Sequence, residues 1–251
     1  VSIPTPAIGH LTEEDYEHVY EPAEDSFILL DALEQDALAI RKAKPALCVE
    51  IGSGSGIAST FMASMLGPSS TCIISTDINK YAADVTLRTG AANDVPLNPV
   101  LCNLLDPLAK RLAGEIDLFI FNPPYVETEE AEMTATQAGR DIGGAWAGGN
   151  FGMAVTNLVL EKLPTLLAPG GRFYLVAVAQ NKPDEINARM RAAGLECKTI
   201  IKRRAGRELL SVLRMTRPAT SSIRAPVAQQ PVPELKDKVD DEYGGLLDAY
   251  V

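Results

Sequence analysis

The chain has 251 residues, 46% of them hydrophobic and 22% charged, which gives room for one substantial core with short extensions rather than several domains. Its formal net charge of −10 is lopsided: residues 1–40 hold ten acids and no Lys or Arg, residues 218–251 six acids against three bases, and residues 41–217 seventeen acids against twenty bases. A strong nucleic-acid binder shows a pronounced basic face, and a membrane span needs an apolar run of roughly 18 residues; neither is present, so neither partner is expected. The N-terminus shows neither a basic start nor an apolar signal segment, so the expected location is cytoplasmic, or nuclear as well.

Residues 1–19, with two prolines and a glycine ahead of an acidic stretch, read as a loosely ordered N-terminal arm carrying His10 and His18 on its surface. From Glu24 the apolar spacing of Phe27, Leu30, Ala32 and Leu33 predicts an amphipathic helix with Glu24 or Asp25 near its start, and Pro45 halts helical structure. Ala46–Ile51 then reads as a buried strand running into a glycine loop, followed by a helix over 57–66. Strand and helix alternate from there: a strand over 71–76, a helix over 80–93, a short strand at Val100–Cys102 and a strand over 116–121. A helix over 153–167 ends before Pro169-Gly170-Gly171, a turn signal. A strand over 172–179, a helix over 183–193 stopped at Gly194, and two strands over 195–202 and 208–215 complete the series. The last pair, joined at Ala205-Gly206 without a helix, predicts an antiparallel hairpin. Such alternation predicts an α/β fold with a mainly parallel seven-stranded sheet covered on both faces, similar to the Rossmann-like class I methyltransferases. The expected limits are an arm over 1–19, a methyltransferase domain over 20–217, and a flexible Pro-containing acidic tail over 218–251. Cys48, Cys72, Cys102 and Cys197 form no C-x-x-C pair and read as buried free thiols.

The candidate cofactor site begins at Glu50-Ile51-Gly52-Ser53-Gly54-Ser55-Gly56, where glycines let the backbone pass close to a ligand. The dinucleotide fingerprint needs glycine at position 57, which is Ile57, so the loop suits S-adenosyl-L-methionine better, a cofactor with no pyrophosphate. Asp77 and Ile78 close the second strand. There the Asp77 carboxylate can accept both ribose hydroxyl protons, or instead cap the next helix. Asn103-Leu104 follows the third strand, where a polar side chain can meet an adenine amino group; a simple Asn cap is the local alternative.

Asn122-Pro123-Pro124-Tyr125 ends the fourth strand and is the catalytic candidate. Consecutive prolines fix the backbone and remove two N–H donors while keeping their carbonyl acceptors. The Asn122 side-chain oxygen and the Pro123 carbonyl can hold both protons of an NH2 group, and Tyr125 can stack on the planar group bearing it. Held in this way, a poorly nucleophilic amide nitrogen is aimed at an electrophilic methyl group and its developing charge is stabilised. By itself the motif leaves an amide or a nucleic-acid base as target.

Together, Tyr20-Glu21-Pro22-Ala23-Glu24-Asp25-Ser26, the Glu50–Gly56 loop, Thr76-Asp77-Ile78-Asn79, Phe121–Val126 and Ala145-Trp146-Ala147-Gly148-Gly149 resemble the eukaryotic, HemK-like glutamine N5-methyltransferases of the class 1 translation release factor. The resemblance runs from about Thr5 to Thr216. It implies methylation of the glutamine amide in a Gly-Gly-Gln loop, with Ser26, Glu50, Gly52, Asp77, Asn103, Leu104 and Asn122 around S-adenosyl-L-methionine. Gly54 and Ile78 join them from the loop and strand end, and Asn122, Pro123, Pro124 and Tyr125 hold the substrate. The family commonly has Asp where this chain has Asn103, which keeps an acceptor but not a charge. The resemblance also implies a heterodimer with a small zinc-containing activator subunit, expected on the edge strand near Val100–Cys102, whose apolar edge invites a covering chain. An adenine-N6 methyltransferase of nucleic acids and a histone lysine methyltransferase are the alternatives. The first would normally add a target-recognition region, and the second needs a base that the motif does not offer. Loop 127–144, with four glutamates, is expected to border the substrate.

Overall fold

The computed structural model describes residues 2–67, 69–124 and 153–219. Among these, seven strands form one sheet: β1 (Leu47–Ile51), β2 (Cys72–Asp77), β3 (Asn98–Leu101), β4 (Ile116–Phe121), β5 (Leu167–Val178), β6 (Glu196–Ala205) and β7 (Glu208–Thr216). Their order is β3-β2-β1-β4-β5-β7-β6, parallel from β3 to β5, with β7 antiparallel to both β5 and β6. The helices are α1 (Glu13–Tyr16), α2 (Glu24–Gln35), α3 (Ala37–Ala43), α4 (Ile57–Leu66), α5 (Lys80–Ala92), α6 (Ala154–Leu166) and α7 (Pro183–Ala192).

The central strands are mainly apolar because both faces are covered. In β4 the two-residue period sends Leu118 and Ile120 to one core, with Leu29 and Leu33 of α2 and Phe61 and Met62 of α4. Phe119 and Phe121 go to the other, with Leu160 and Leu163 of α6 and Ile186 of α7. Asp117, near the start of β4, anchors the start of β1: its Oδ2 accepts the N–H groups of Ala46 at 2.8 Å and Leu47 at 3.1 Å. Asp36, at the α2–α3 junction, takes the Tyr174 hydroxyl and the Arg214 guanidinium, both at 2.7 Å, and so ties the helices to β5 and β7.

Four expectations need correction. Pro169-Gly170-Gly171 is not a turn ahead of β5 but a bulge inside it: Leu167 pairs with Ile116 and Arg172 with Leu118. Gly171 is required there, since a Cβ would stand 2.5 Å from the Ile116 carbonyl oxygen. The N-terminal arm is not loose. Ile3 is buried and donates its N–H to Glu34 Oε1 at 2.7 Å, and Ala7 and Asn93 exchange two hydrogen bonds at 2.7 and 2.9 Å. Thr12 and Asp15 close a capping box on α1, and Asp15 pairs with Arg88 of α5, which holds the Asp15 carboxyl far below the usual range. The two histidines are therefore packed rather than set on a free surface: His18 stacks on Tyr81 with ring centroids 4.2 Å apart, and His10 Nε2 lies 3.3 Å from Thr89 Oγ1. Of the four cysteines, all free, only Cys48 is buried; Cys72, at the outset of β2, is exposed. The tail falls, from Thr220 on, outside the described residues.

Candidate active site

A pocket opens beyond the carboxyl ends of β1, β2 and β4, where open parallel sheets bind ligands. Ser26, Glu50, Gly52, Gly54, Asp77, Ile78, Asn103, Leu104, Asn122, Pro123 and Pro124 all line it. Tyr125, loop 127–144 and Ala145–Gly149 lie outside the described residues.

The glycine loop turns sharply, with φ of +68°, +50° and +76° at Gly52, Gly54 and Gly56. Gly56 also packs against α5 so closely that a Cβ would fall 2.8 Å from Thr86 Cα. Threonines on α5 hold the loop: Thr86 Oγ1 donates to Ser53 Oγ at 2.9 Å and Thr89 Oγ1 to the Ser55 carbonyl at 2.7 Å.

The carboxyl groups of Asp25, Glu50 and Asp77 all line the pocket. Asp77 Oδ2 accepts the Gly54 N–H at 3.0 Å and Oδ1 the Asn79 N–H at 2.9 Å. Burial pushes its carboxyl up, and the N–H donors of Asn79, Gly54 and Ile78 oppose that. The cap of α5 is Asn79, whose Oδ1 accepts the Tyr81 N–H, so Asp77 acts on the glycine loop and the pocket instead. Glu50, only 4% exposed, receives the Ser59 hydroxyl, which in turn contacts Ser75 Oγ at 2.6 Å. Burial pushes the Glu50 carboxyl up to about 8, partly offset by Ser59 and reinforced by the Asp77 charge. Such a pair favours a cationic ligand, whose arrival restores the charged form. S-Adenosylmethionine, with a sulfonium and an ammonium group, fits: Glu50 faces positive charge and Asp77 has acceptor capacity for ribose hydroxyls. Asn103 donates through Nδ2 to Asp106 Oδ2 at 3.2 Å, which leaves its Oδ1 as an acceptor.

At the other end, Asn122 Nδ2 donates to Asp25 Oδ2 at 2.9 Å. Asn122 Oδ1 is buried and has no hydrogen-bond partner among the described residues. An unsatisfied buried carbonyl costs about 1–3 kcal/mol, so it is a poised acceptor. Pro123, buried beside it, brings no N–H that could compete. Sequence reasoning assigned no role to Asp25, nor to His18, Val19, Tyr20 and Asn79, which also line the pocket. Their positions follow from the arm folding back on α5, where Asn79 Nδ2 donates to the His18 carbonyl at 2.7 Å.

A glycine loop after β1, an acid closing β2 and Asn-Pro-Pro after β4, on a sheet ending in an antiparallel pair, define a class I methyltransferase. No model of a protein family matches the chain. Individual proteins do: Methyltransferase HEMK2 of Mus musculus is 46% identical over 216 residues, covering 86% of this chain and 98% of the mouse protein. The eRF1 methyltransferase catalytic subunit mtq2 of Schizosaccharomyces pombe is 40% identical over 224 residues, 85% of this chain and 95% of its own. The chain belongs to this HEMK2/Mtq2 family of methyltransferases. The fold agrees with that of the solved E. cuniculi Mtq2-Trm112 complex, at a TM-score of 0.59 and 23% identity over 79% of this chain and 98% of that one.

Proposed function

We propose that the chain binds S-adenosyl-L-methionine in this pocket and methylates the side-chain amide N5 of the glutamine in the Gly-Gly-Gln loop of the class 1 translation release factor. The observation that carries the reading is the buried Asn122 Oδ1, without a hydrogen-bond partner among the described residues, in a pocket lined by the carboxyl groups of Asp25, Glu50 and Asp77. The cofactor supplies an electrophilic methyl group on sulfur. Asn122 Oδ1 accepts a hydrogen bond from one N–H of the glutamine NH2 and the Pro123 carbonyl from the other. These two acceptors fix the plane of the amide and stabilise positive charge on nitrogen as its lone pair leaves conjugation. The nitrogen then loses a proton to solvent, so no strong base is needed at the start. The S. pombe relative is named for action on eRF1, and this chain covers nearly all of its length.

The E. cuniculi relative was solved with Trm112. A small zinc-containing activator subunit, seated on β3, completes the proposal. Among the described residues β3 pairs only with β2, and Leu101 at its end is 51% exposed, so its outer edge can take an added strand. The reading places the enzyme in the cytoplasm, with its substrate.

The test is incubation of the chain and activator with methyl-labelled cofactor and release factor, duplex DNA or histone. Label should enter release factor and vanish when its Gly-Gly-Gln glutamine is replaced. Asn122→Ala should abolish transfer and leave most cofactor affinity by calorimetry. Label on DNA or histone with release factor unlabelled overturns the proposal.

A further inference from the structure

Asp25 opens α2, and an acid in a helix's first turn is ordinarily explained by the helix dipole. Its contacts go further. One oxygen, Oδ1, collects the Tyr20 hydroxyl at 3.0 Å and the Ser26 N–H at 2.8 Å. The other, Oδ2, takes the Asn122 NH2 at 2.9 Å. Asp25 is itself 4% exposed, and the contact to Asn122 spans 97 positions.

A carboxylate only accepts hydrogen bonds, whereas a carboxamide has one accepting and one donating end. Beside Asp25, therefore, Asn122 has one favourable orientation: NH2 toward Asp25 and Oδ1 away from it. That oxygen is the buried one without a hydrogen-bond partner among the described residues. In the opposite orientation two acceptors would meet at Asp25, and Asn122 would present a donor to the reacting NH2 group, which is itself a donor.

We infer that Asp25 is a positioning residue that selects the Asn122 amide orientation, so that Oδ1 and not the NH2 group meets the target nitrogen. The inference rests on the proposed role of Asn122 as acceptor for a substrate amide. Tyr20 and Ser26 aim Asp25 by occupying its other oxygen, which gives part of the Tyr20–Ser26 segment a task at the transferring end of the pocket.

Asp25→Asn is nearly isosteric and tests this. Its carbonyl can keep the Tyr20 and Ser26 donors, but its NH2 then faces the Asn122 NH2, and Asn122 turns over. With the full chain and its activator acting on release factor, kcat should fall about 100-fold, as when one oriented group of an electrostatic site is lost. KM for release factor and the cofactor Kd should stay within about threefold of wild type. The reciprocal exchange, Asp25→Asn with Asn122→Asp, restores the polarity: the new carboxamide donates to the new carboxylate, whose second oxygen again accepts. It should regain at least about tenfold over Asp25→Asn alone, which a merely structural role for Asp25 would not produce. Wild-type kcat in Asp25→Asn, loss of cofactor binding in step with kcat, or an exchange variant no better than the single one overturns the inference. Failure of the wild-type complex to label release factor is a separate result, which removes the proposed function instead.

Discussion

Glu50→Gln should make the ligand-free protein more stable and a poorer cofactor binder. The Glu50 carboxyl is held at about 8 against an ordinary 4.5, chiefly by burial. The folded state therefore binds a proton that the unfolded state has released, between about pH 4.5 and 8. Stability from this group is greatest below that window, declines as pH rises through it, and reaches its minimum above about pH 8. Each tenfold change in proton affinity is worth about 1.4 kcal/mol, so the full cost of the ionised form is on the order of 5 kcal/mol, and about 3 kcal/mol at pH 7. A glutamine side chain keeps an acceptor for Ser59 but adds an NH2 that must find a partner, which removes roughly half of that gain. An increase of about 2 kcal/mol at pH 8 corresponds to a rise in Tm of roughly 4–8 °C for a domain of this size.

Cofactor binding should move the other way. Glu50 is the buried carboxylate available to a cationic ligand, and a hydrogen bond to a charged group is worth about 1.5–3 kcal/mol, so Kd should rise about 10- to 100-fold. Because Glu50 is mostly protonated at pH 7, wild-type binding should release close to one proton, visible as a dependence of calorimetric heat on buffer ionisation enthalpy; the variant should release none. Denaturation scans from pH 5 to 9 complete the assay, with a steeper decline in the wild type. A variant less stable than wild type at pH 8, or one with unchanged Kd and proton release, refutes the reasoning.

Gly56→Ala combines a left-handed backbone, costing about 1–2 kcal/mol, with a Cβ 2.8 Å from Thr86 Cα that forces α5 outward. A loss of about 3 kcal/mol is expected in denaturant titration, and a loss within 0.5 kcal/mol, roughly the range of an ordinary surface change, would contradict the close approach. Asp77→Ala removes the acceptor that holds the Gly54 and Asn79 N–H groups. It should weaken cofactor binding about 10- to 100-fold by calorimetry, and an unchanged Kd would remove Asp77 from the ribose site. Produced alone, the chain should be poorly soluble and recover on co-expression with its activator; a stable, fully active monomer speaks against the β3 interface.

The fold was legible where signals are local. The helix over 57–66 and the strand over 116–121 were read with the boundaries the structure has, because a glycine loop precedes the one and Asn-Pro-Pro follows the other. The pocket gathers every described residue that the sequence assigned to the cofactor and substrate site, since loops after parallel strands converge on one edge of the sheet. The Pro169–Gly171 bulge was read as a turn because the same residues serve both purposes. What decides between them is the pairing of Leu167 with Ile116, 51 positions away and invisible to any local window.

The acids of the first 40 residues show the same limit more sharply. Counted along the chain, ten acids without a Lys or Arg describe a solvated arm. In the fold several face donors supplied from elsewhere: Asp15 meets Arg88, Asp31 meets Arg203, Asp36 meets Tyr174 and Arg214, and Asp25 meets Asn122. Three of these ten acids thus pair with arginines of the core, so part of the charge asymmetry is complementarity within one domain. A partly exposed pair near the surface contributes little, about 1 kcal/mol or less, so Asp15–Arg88 and Asp31–Arg203 chiefly set where the arm and α2 lie. Asp25 lies in the pocket wall, where the partner it meets is Asn122, the acceptor of the proposed reaction. The same sequence feature therefore fastens the N-terminal arm to α5 and, in the first turn of α2, orients the Asn122 amide.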